Sequence, residues 1–137
     1  MNLVEIKGGN KFQRTIANKV VYEMLSKLLP RVRTLDITVE IKKLTGDAVG
    51  WCMMEDTHKE FTIEVSKDLT LKEFVSTLCH EMVHVKQYYR KEMDGVTNRW
   101  KKGVVKKDTG YYDLPWEKEA YRLQDKLTQE VWDADIL

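Results

Sequence analysis

The segment "TLKEFVSTLCHEMVHVKQYYRKEM", residues 70–93, constrains this chain more than any other. Thr70 followed by Glu73 is the signature of a capping box, so a helix is expected to begin at Leu71. Each helical residue turns the chain by about 100°. With His80 set at zero, Leu71, Phe74, Val75, Leu78, Met82, Val85 and Tyr89 gather around roughly 180°. That stripe must be buried against another element. On the same scale His84 falls near 40°, Tyr88 near 80° and Glu81 near 100°, within one sector about His80. The histidines stand opposite the stripe, so they are not core histidines satisfied by backbone carbonyls. What remains is either a site or a wet helix face carrying two solvated histidines. Cys79, near 260° on that scale, points away from the histidine sector and reads as a packing residue.

The rest of the chain supplies partners for the stripe. Residues 11–29 carry Phe12, Ile16, Val20, Met24, Leu25 and Leu28 at helical spacing, and Pro30 ends the run. "LDITVEI", residues 35–41, alternates apolar and polar as a half-buried strand does. "TGDAVG" reads as a turn, and "WCMME" and "FTIEV" as two further strands joined by the polar loop "DTHK". Residues 94–115 hold Gly95, Asn98, Gly103, Gly110 and Pro115, the composition of a long loop or lid. "PWEKEAYRLQDKLTQEVW" is a last helix with proline in its first turn. Its stripe is Trp116, Ala120, Leu123, Leu127 and Val131. The order is helix, three strands, helix, long loop, helix. It predicts an α+β fold with a three-stranded, mainly antiparallel sheet. The 137 residues suit one domain spanning the whole chain.

Charge and cysteine content narrow the function classes. A formal net charge of +1 does not make the molecule as a whole a polyanion binder. No apolar run approaches the roughly 18 residues a membrane helix needs, so no membrane partner is expected. "MNLVEIKGGNKFQ" lacks the apolar centre of a secretory signal. Cys52 and Cys79 form no C-x-x-C pair and supply neither a zinc finger nor a disulfide framework. A cytoplasmic location is the expectation.

Within this frame "HEMVH" carries chemistry. Residues four apart share a helix face, so His80 and His84 can point at one atom, and neutral imidazole is a good zinc ligand. Glu81 flanks them and is placed to take a proton from a metal-activated water. Such a site needs a third protein ligand. His58, the only other histidine, lies in the "DTHK" loop and reads as a solvated turn residue. Glu117 and Glu119 begin the last helix. Both sit about 80° from the centre of its apolar stripe, on opposite flanks, so helical angles do not separate them. Acids in a first helical turn also complement the helix dipole, which accounts for one of the two.

"TLCHEMVHVKQ" followed by "YYDLPWEKEAY" resembles the small gluzincin-type zinc metallopeptidases, including phage-encoded metallopeptidases of about this size. The resemblance covers residues 70–125. It implies a zincin-like fold, Zn2+ as cofactor, a peptide or protein substrate and cleavage by a metal-activated water. Carried over residue by residue, it makes His80, His84 and Glu117 the metal ligands and Glu81 the general base. Larger gluzincins often carry Asp or Asn directly after the position matched by Ala120. Here that residue is Tyr121, which leaves the partner of the ligands unassigned and keeps Glu119 as the alternative third ligand. The motif also resembles, more distantly, the SprT-like group, whose members act on DNA-bound proteins. That group takes a third histidine downstream, and none follows His84.

An oxyanion formed during cleavage needs a cation or hydroxyl nearby, and Tyr88, Tyr111, Tyr112 and Tyr121 are candidates. "FTIEV" is either the strand where folds of this kind present an edge to an extended substrate or a plain structural strand. Residues 86–107 hold eight Lys/Arg against two acids, with Trp100 among them. That pattern admits DNA or RNA contact through phosphates and stacking, or a solvated loop. The alternative to a peptidase is thus a nucleic-acid-associated or protein-binding module whose zinc site is structural or inactive.

Overall fold

The alternation read at residues 35–41 continues on both sides of that segment and builds a wider sheet than expected. The computed structural model describes residues 1–94 and 97–137. Strand β1 (Leu3–Gly8) is followed by helix α1 (Lys11–Leu28), then strands β2 (Asp36–Lys42), β3 (Gly50–Met54) and β4 (Glu60–Ser66), and helix α2 (Leu71–Tyr89). The sheet order is β1-β2-β4-β3. β1 runs parallel to β2 and β2 parallel to β4, while β3 is antiparallel to β4. The expected three-stranded, mainly antiparallel sheet is therefore a four-stranded mixed one. The reason is connectivity. Helix α1 returns the chain to the starting end of β1, which makes the next strand parallel. The short β3–β4 connection can only form an antiparallel hairpin, and that hairpin docks through β4.

"FTIEV" consequently lies in β4, paired on both sides, and is not the edge of the sheet. The edge next to α2 is β3. Register brings Ile37 opposite Phe61, Val39 opposite Ile63 and Ile41 opposite Val65. These six side chains are buried on one face, and burying each stabilises the fold by about 1.5–3 kcal/mol. Helices α1 and α2 cover that face, α1 towards β1 and α2 towards β4 and β3. Phe74, Val75, Leu78, Met82 and Val85 of the α2 stripe are buried, whereas Leu71 at its first turn is exposed. The capping box is formed: Glu73 N–H donates to Thr70 Oγ1, and Thr70 N–H to Glu73 Oε1. A second capping box, Asn10 with Gln13, starts α1.

The described part of the stretch read as a long loop carries short regular elements. It contains the short strands β5 (Met93–Asp94), β6 (Arg99–Trp100) and β7 (Gly103–Val104), which form a separate antiparallel sheet, and a single 3-10 turn at Tyr111–Asp113. Gly95, one of the residues that marked it as a loop, lies outside the described residues. Trp100 packs its ring near Trp116, with centroids 6.4 Å apart, which ties the small sheet to the last helix. That helix, α3 (Pro115–Asp133), packs chiefly on α2. Trp116, Ala120, Leu127 and Val131 of its stripe are buried and Leu123 is half-buried. Among the described residues no helix is long and apolar enough to cross a membrane.

Candidate metal centre

The α2 face opposite the core stripe is not wet. Helix α3 lies over it, and His80 and His84 are only 6% and 7% exposed. The start of α3 delivers Glu117 between the two rings. Its Oε1 lies 3.0 Å from His80 Nε2 and 3.2 Å from His84 Nε2. The three ligand-type atoms lie within 4.8 Å of one another, a buried group that could hold a metal ion. The donor set fits one. Two borderline imidazole nitrogens and one hard carboxylate oxygen make a mixed set suited to a first-row divalent ion, and three protein ligands leave a position open.

The remaining ring nitrogens are also held. His80 Nδ1 is 2.9 Å from Gln124 Oε1, and His84 Nδ1 is 2.7 Å from Gln87 Oε1. An amide oxygen only accepts, so each contact favours a proton on Nδ1; Nε2 then donates to Glu117 when it is protonated and offers its lone pair to an ion when it is not. These glutamines escaped the sequence reading, although both carried a signal. Gln87 is three residues from His84 on α2, and Gln124 is seven from Glu117, on the same face of α3.

Glu117, not Glu119, joins the histidines. Glu119 turns to the other flank, where its Oε1 accepts from Lys86 Nζ and Gln87 Nε2, both at 3.1 Å. Burial raises the Glu117 pKa, but the hydrogen bonds to His80 and His84 outweigh it and lower the value to about 2. Glu119 is likewise lowered, since the bonds from Gln87 and Lys86 overcome its burial. Burial opposes charge on His84, yet the Glu117 hydrogen bond and the negative charges of Glu81 and Glu117 raise its pKa.

Glu81 is 6% exposed. Burial raises its pKa, the two imidazoles pull it down and Glu117 pushes it up; the net shift is upward. Its carboxylate faces β3 where that strand has no side chain. A β-carbon on Gly50 would stand 3.4 Å from Glu81 Oε2.

A groove runs along β3 in three adjoining cavities. The middle one, about 200 Å³, is bordered by Glu81, His84 and Glu117. It shares Gly50, Trp51, Glu81 and Tyr111 with a cavity of about 390 Å³ on one side. On the other side it shares Cys52, Tyr88 and Met93 with one of about 710 Å³. Tyr111 lines the middle cavity with Glu117 and the neighbouring one with Tyr121, and burial followed by the Glu117 charge raises its pKa. Tyr121 packs its ring 4.5 Å from His80, and Tyr112 packs on both other tyrosines. Tyr88 borders the opposite end of the middle cavity.

Other candidates lie apart. His58 is exposed at the rim of the largest cavity and outside the cluster. Cys79 is fully buried, and that burial raises its thiol pKa to about 12. In the basic segment Arg99, Lys101, Lys102, Lys106 and Lys107 are exposed, but Trp100 is half-buried against Trp116, with Lys101 5.2 Å from its ring.

No protein-family model matches the chain, and comparison with curated proteins and with solved structures gives no match.

Proposed function

We propose that the protein is a zinc-dependent metallopeptidase that cleaves peptide bonds with Glu81 as general base. The observation that carries this reading is the approach of Glu117 Oε1 to both imidazole Nε2 atoms, with a buried carboxylate beside them that takes no part in the cluster. His80, His84 and Glu117 would hold the ion. Bound there, zinc supplies a Lewis acid that makes water a nucleophile near neutral pH.

The chain's own groups do the rest. Glu81, its pKa lifted by burial, accepts the proton released as water adds to the peptide carbonyl, and passes it to the leaving amine. The hydroxyl of Tyr111, which lines the middle cavity with Glu117, donates to the developing oxyanion. The groove along β3 accepts the substrate as an extended strand. Among the described residues β3 pairs only with β4, so its outer backbone groups can hydrogen-bond a peptide.

Elemental analysis of the purified protein, followed by digestion of a denatured-protein peptide mixture with and without chelator, tests this. The expected result is one zinc per chain and cleavage that chelation stops and zinc restores. Glu81→Gln should retain the zinc and lose about 10²–10⁴-fold in rate. Full activity in Glu81→Gln would remove the base assignment. Stoichiometric zinc with no turnover on any peptide would favour the competing reading, a binding module with a structural ion. For that reading the exposed lysines of the 101–107 stretch are the contact surface to test on nucleic acid.

A further inference from the structure

Gln87 is the least exposed polar residue near the cluster, at 0%, and each of its side-chain atoms has a definite partner. Its Nε2 donates to the Trp116 carbonyl at 3.0 Å and to Glu119 Oε1 at 3.1 Å. Both partners are acceptors with no proton to give. Flipping the amide would set its oxygen against a carbonyl and a carboxylate in a dry site, a buried acceptor clash with nothing to offset it. The amide orientation is therefore fixed by chemistry and not only by placement. Oε1 must face His84, and an acceptor 2.7 Å from Nδ1 requires a proton there. When that ring is neutral, as it must be to bind an ion, its lone pair is therefore on Nε2, the atom turned towards Glu117.

Lys86 Nζ, 3.1 Å from Glu119 and 2.8 Å from Glu92, holds the Glu119 carboxylate in place at the far end of the chain of contacts. His80 has no such arrangement. Its partner Gln124 is only half-buried, and among the described residues the Gln124 amide nitrogen has no hydrogen-bond partner to set its orientation.

We propose that Glu119 and Gln87 are positioning residues for His84: Glu119 orients the buried Gln87 amide, and Gln87 locks the His84 ring in the Nδ1–H form that presents Nε2 to a metal ion. The proposal rests on the metal-site reading of the cluster, not on its being a protease. It also gives the second acid of "WEKEA" a task that a ligand role does not supply.

The test uses the whole protein, the zinc ion alone as probe, and two readouts that do not depend on turnover. Imidazole nitrogen NMR of the zinc-loaded wild type should show His84 protonated at Nδ1, with that proton exchanging with water more slowly than the His80 proton. Competition with a chromophoric chelator should show zinc affinity reduced about 10–100-fold in Gln87→Ala, the usual cost of losing an outer partner of a ligand, and reduced by a smaller factor in Glu119→Ala, which leaves Gln87 its bond to the Trp116 carbonyl. Glu119→Gln, whose amide oxygen still accepts from Gln87, should recover most of that affinity, which a generic loss of stability would not predict. If Glu119→Ala fails to fold, the wild-type exchange comparison still decides. Equal exchange of the two ring protons, or Glu119→Ala and Glu119→Gln both binding zinc as wild type does, would overturn the proposal while leaving the metal site intact. A wild type that takes up no zinc would instead defeat the metal-site reading itself.

Discussion

Gly50 of β3 and Glu81 of α2 are in close apposition: a β-carbon at position 50 would stand 3.4 Å from Glu81 Oε2 and only 2.7 Å from Thr77 Cγ2. The strand can lie this near the helix because it has no side chain there. Gly50→Ala is expected to push β3 off α2 at the carboxylate and to destabilise the protein by about 1–3 kcal/mol, the range for overpacking. Thermal unfolding checks this. Adding Thr77→Ser, which removes the nearest clashing atom, should recover part of the loss, and a double variant no better than the single would assign the strain elsewhere.

In the metal-free protein the His84 pKa is raised above its ordinary 6.5. A raised histidine pKa contributes stability that is fully present below the unfolded value and is lost as pH rises through the folded one. Glu81, also raised, adds in the same direction, because its ionised form is disfavoured in the fold. A metal ion would replace the His84 proton with its own charge and, beside Glu81, would favour that carboxylate's ionised form. The rise in melting temperature on adding zinc should therefore grow between about pH 6 and about pH 8. In His84→Ala it should vanish at both pH values. A zinc effect independent of pH would contradict the protonation of this site.

Glu117 works at the acid end. Its pKa, lowered to about 2, contributes stability present above its ordinary value of 4.5 and lost as pH falls through the folded value. Glu117→Gln should flatten the acid limb of a stability–pH curve for metal-free protein and should lose zinc. Retention of wild-type zinc affinity would show that another acid completes the site.

Tyr111 and Glu117 border the same middle cavity. Removing its hydroxyl with Tyr111→Phe should lower kcat by about 10²–10³-fold, the usual effect of deleting an oxyanion donor, with zinc content unchanged. Tyr112→Phe, on the outer side of the aromatic group and 71% exposed, should leave kcat near wild type. Equal effects from the two would move the role away from Tyr111.

Thr70→Ala removes the side-chain half of the α2 capping box and should cost about 1 kcal/mol, measured by denaturant unfolding, with zinc still bound. The same sequence signal made this helix readable before any coordinates. Its start follows from the capping box, and its buried stripe and the shared sector of His80, Glu81 and His84 follow from a single angular step. Other features were not readable, for identifiable reasons. A two-residue period marks β2 and β4 but says nothing of partner or direction, so the parallel ladders and the interior place of "FTIEV" were missed. β1 alternates as well, in "LVEIKG", and becomes interpretable only when α1 is seen as a crossover. Glu117 and Glu119 lie symmetrically about the α3 stripe, so only the tilt of α3 on α2 separates the acid that meets the imidazoles from the one that meets Gln87 and Lys86.

The contact of Glu117 with His84 joins residues 33 apart in sequence, and the whole β5–β7 sheet lies between them. A bound ion would thus act as a reversible crosslink, shortening the span the chain can explore when it opens. Chelation should release this stretch as a unit, making the 90–115 region the first part of the molecule that a foreign protease can cut.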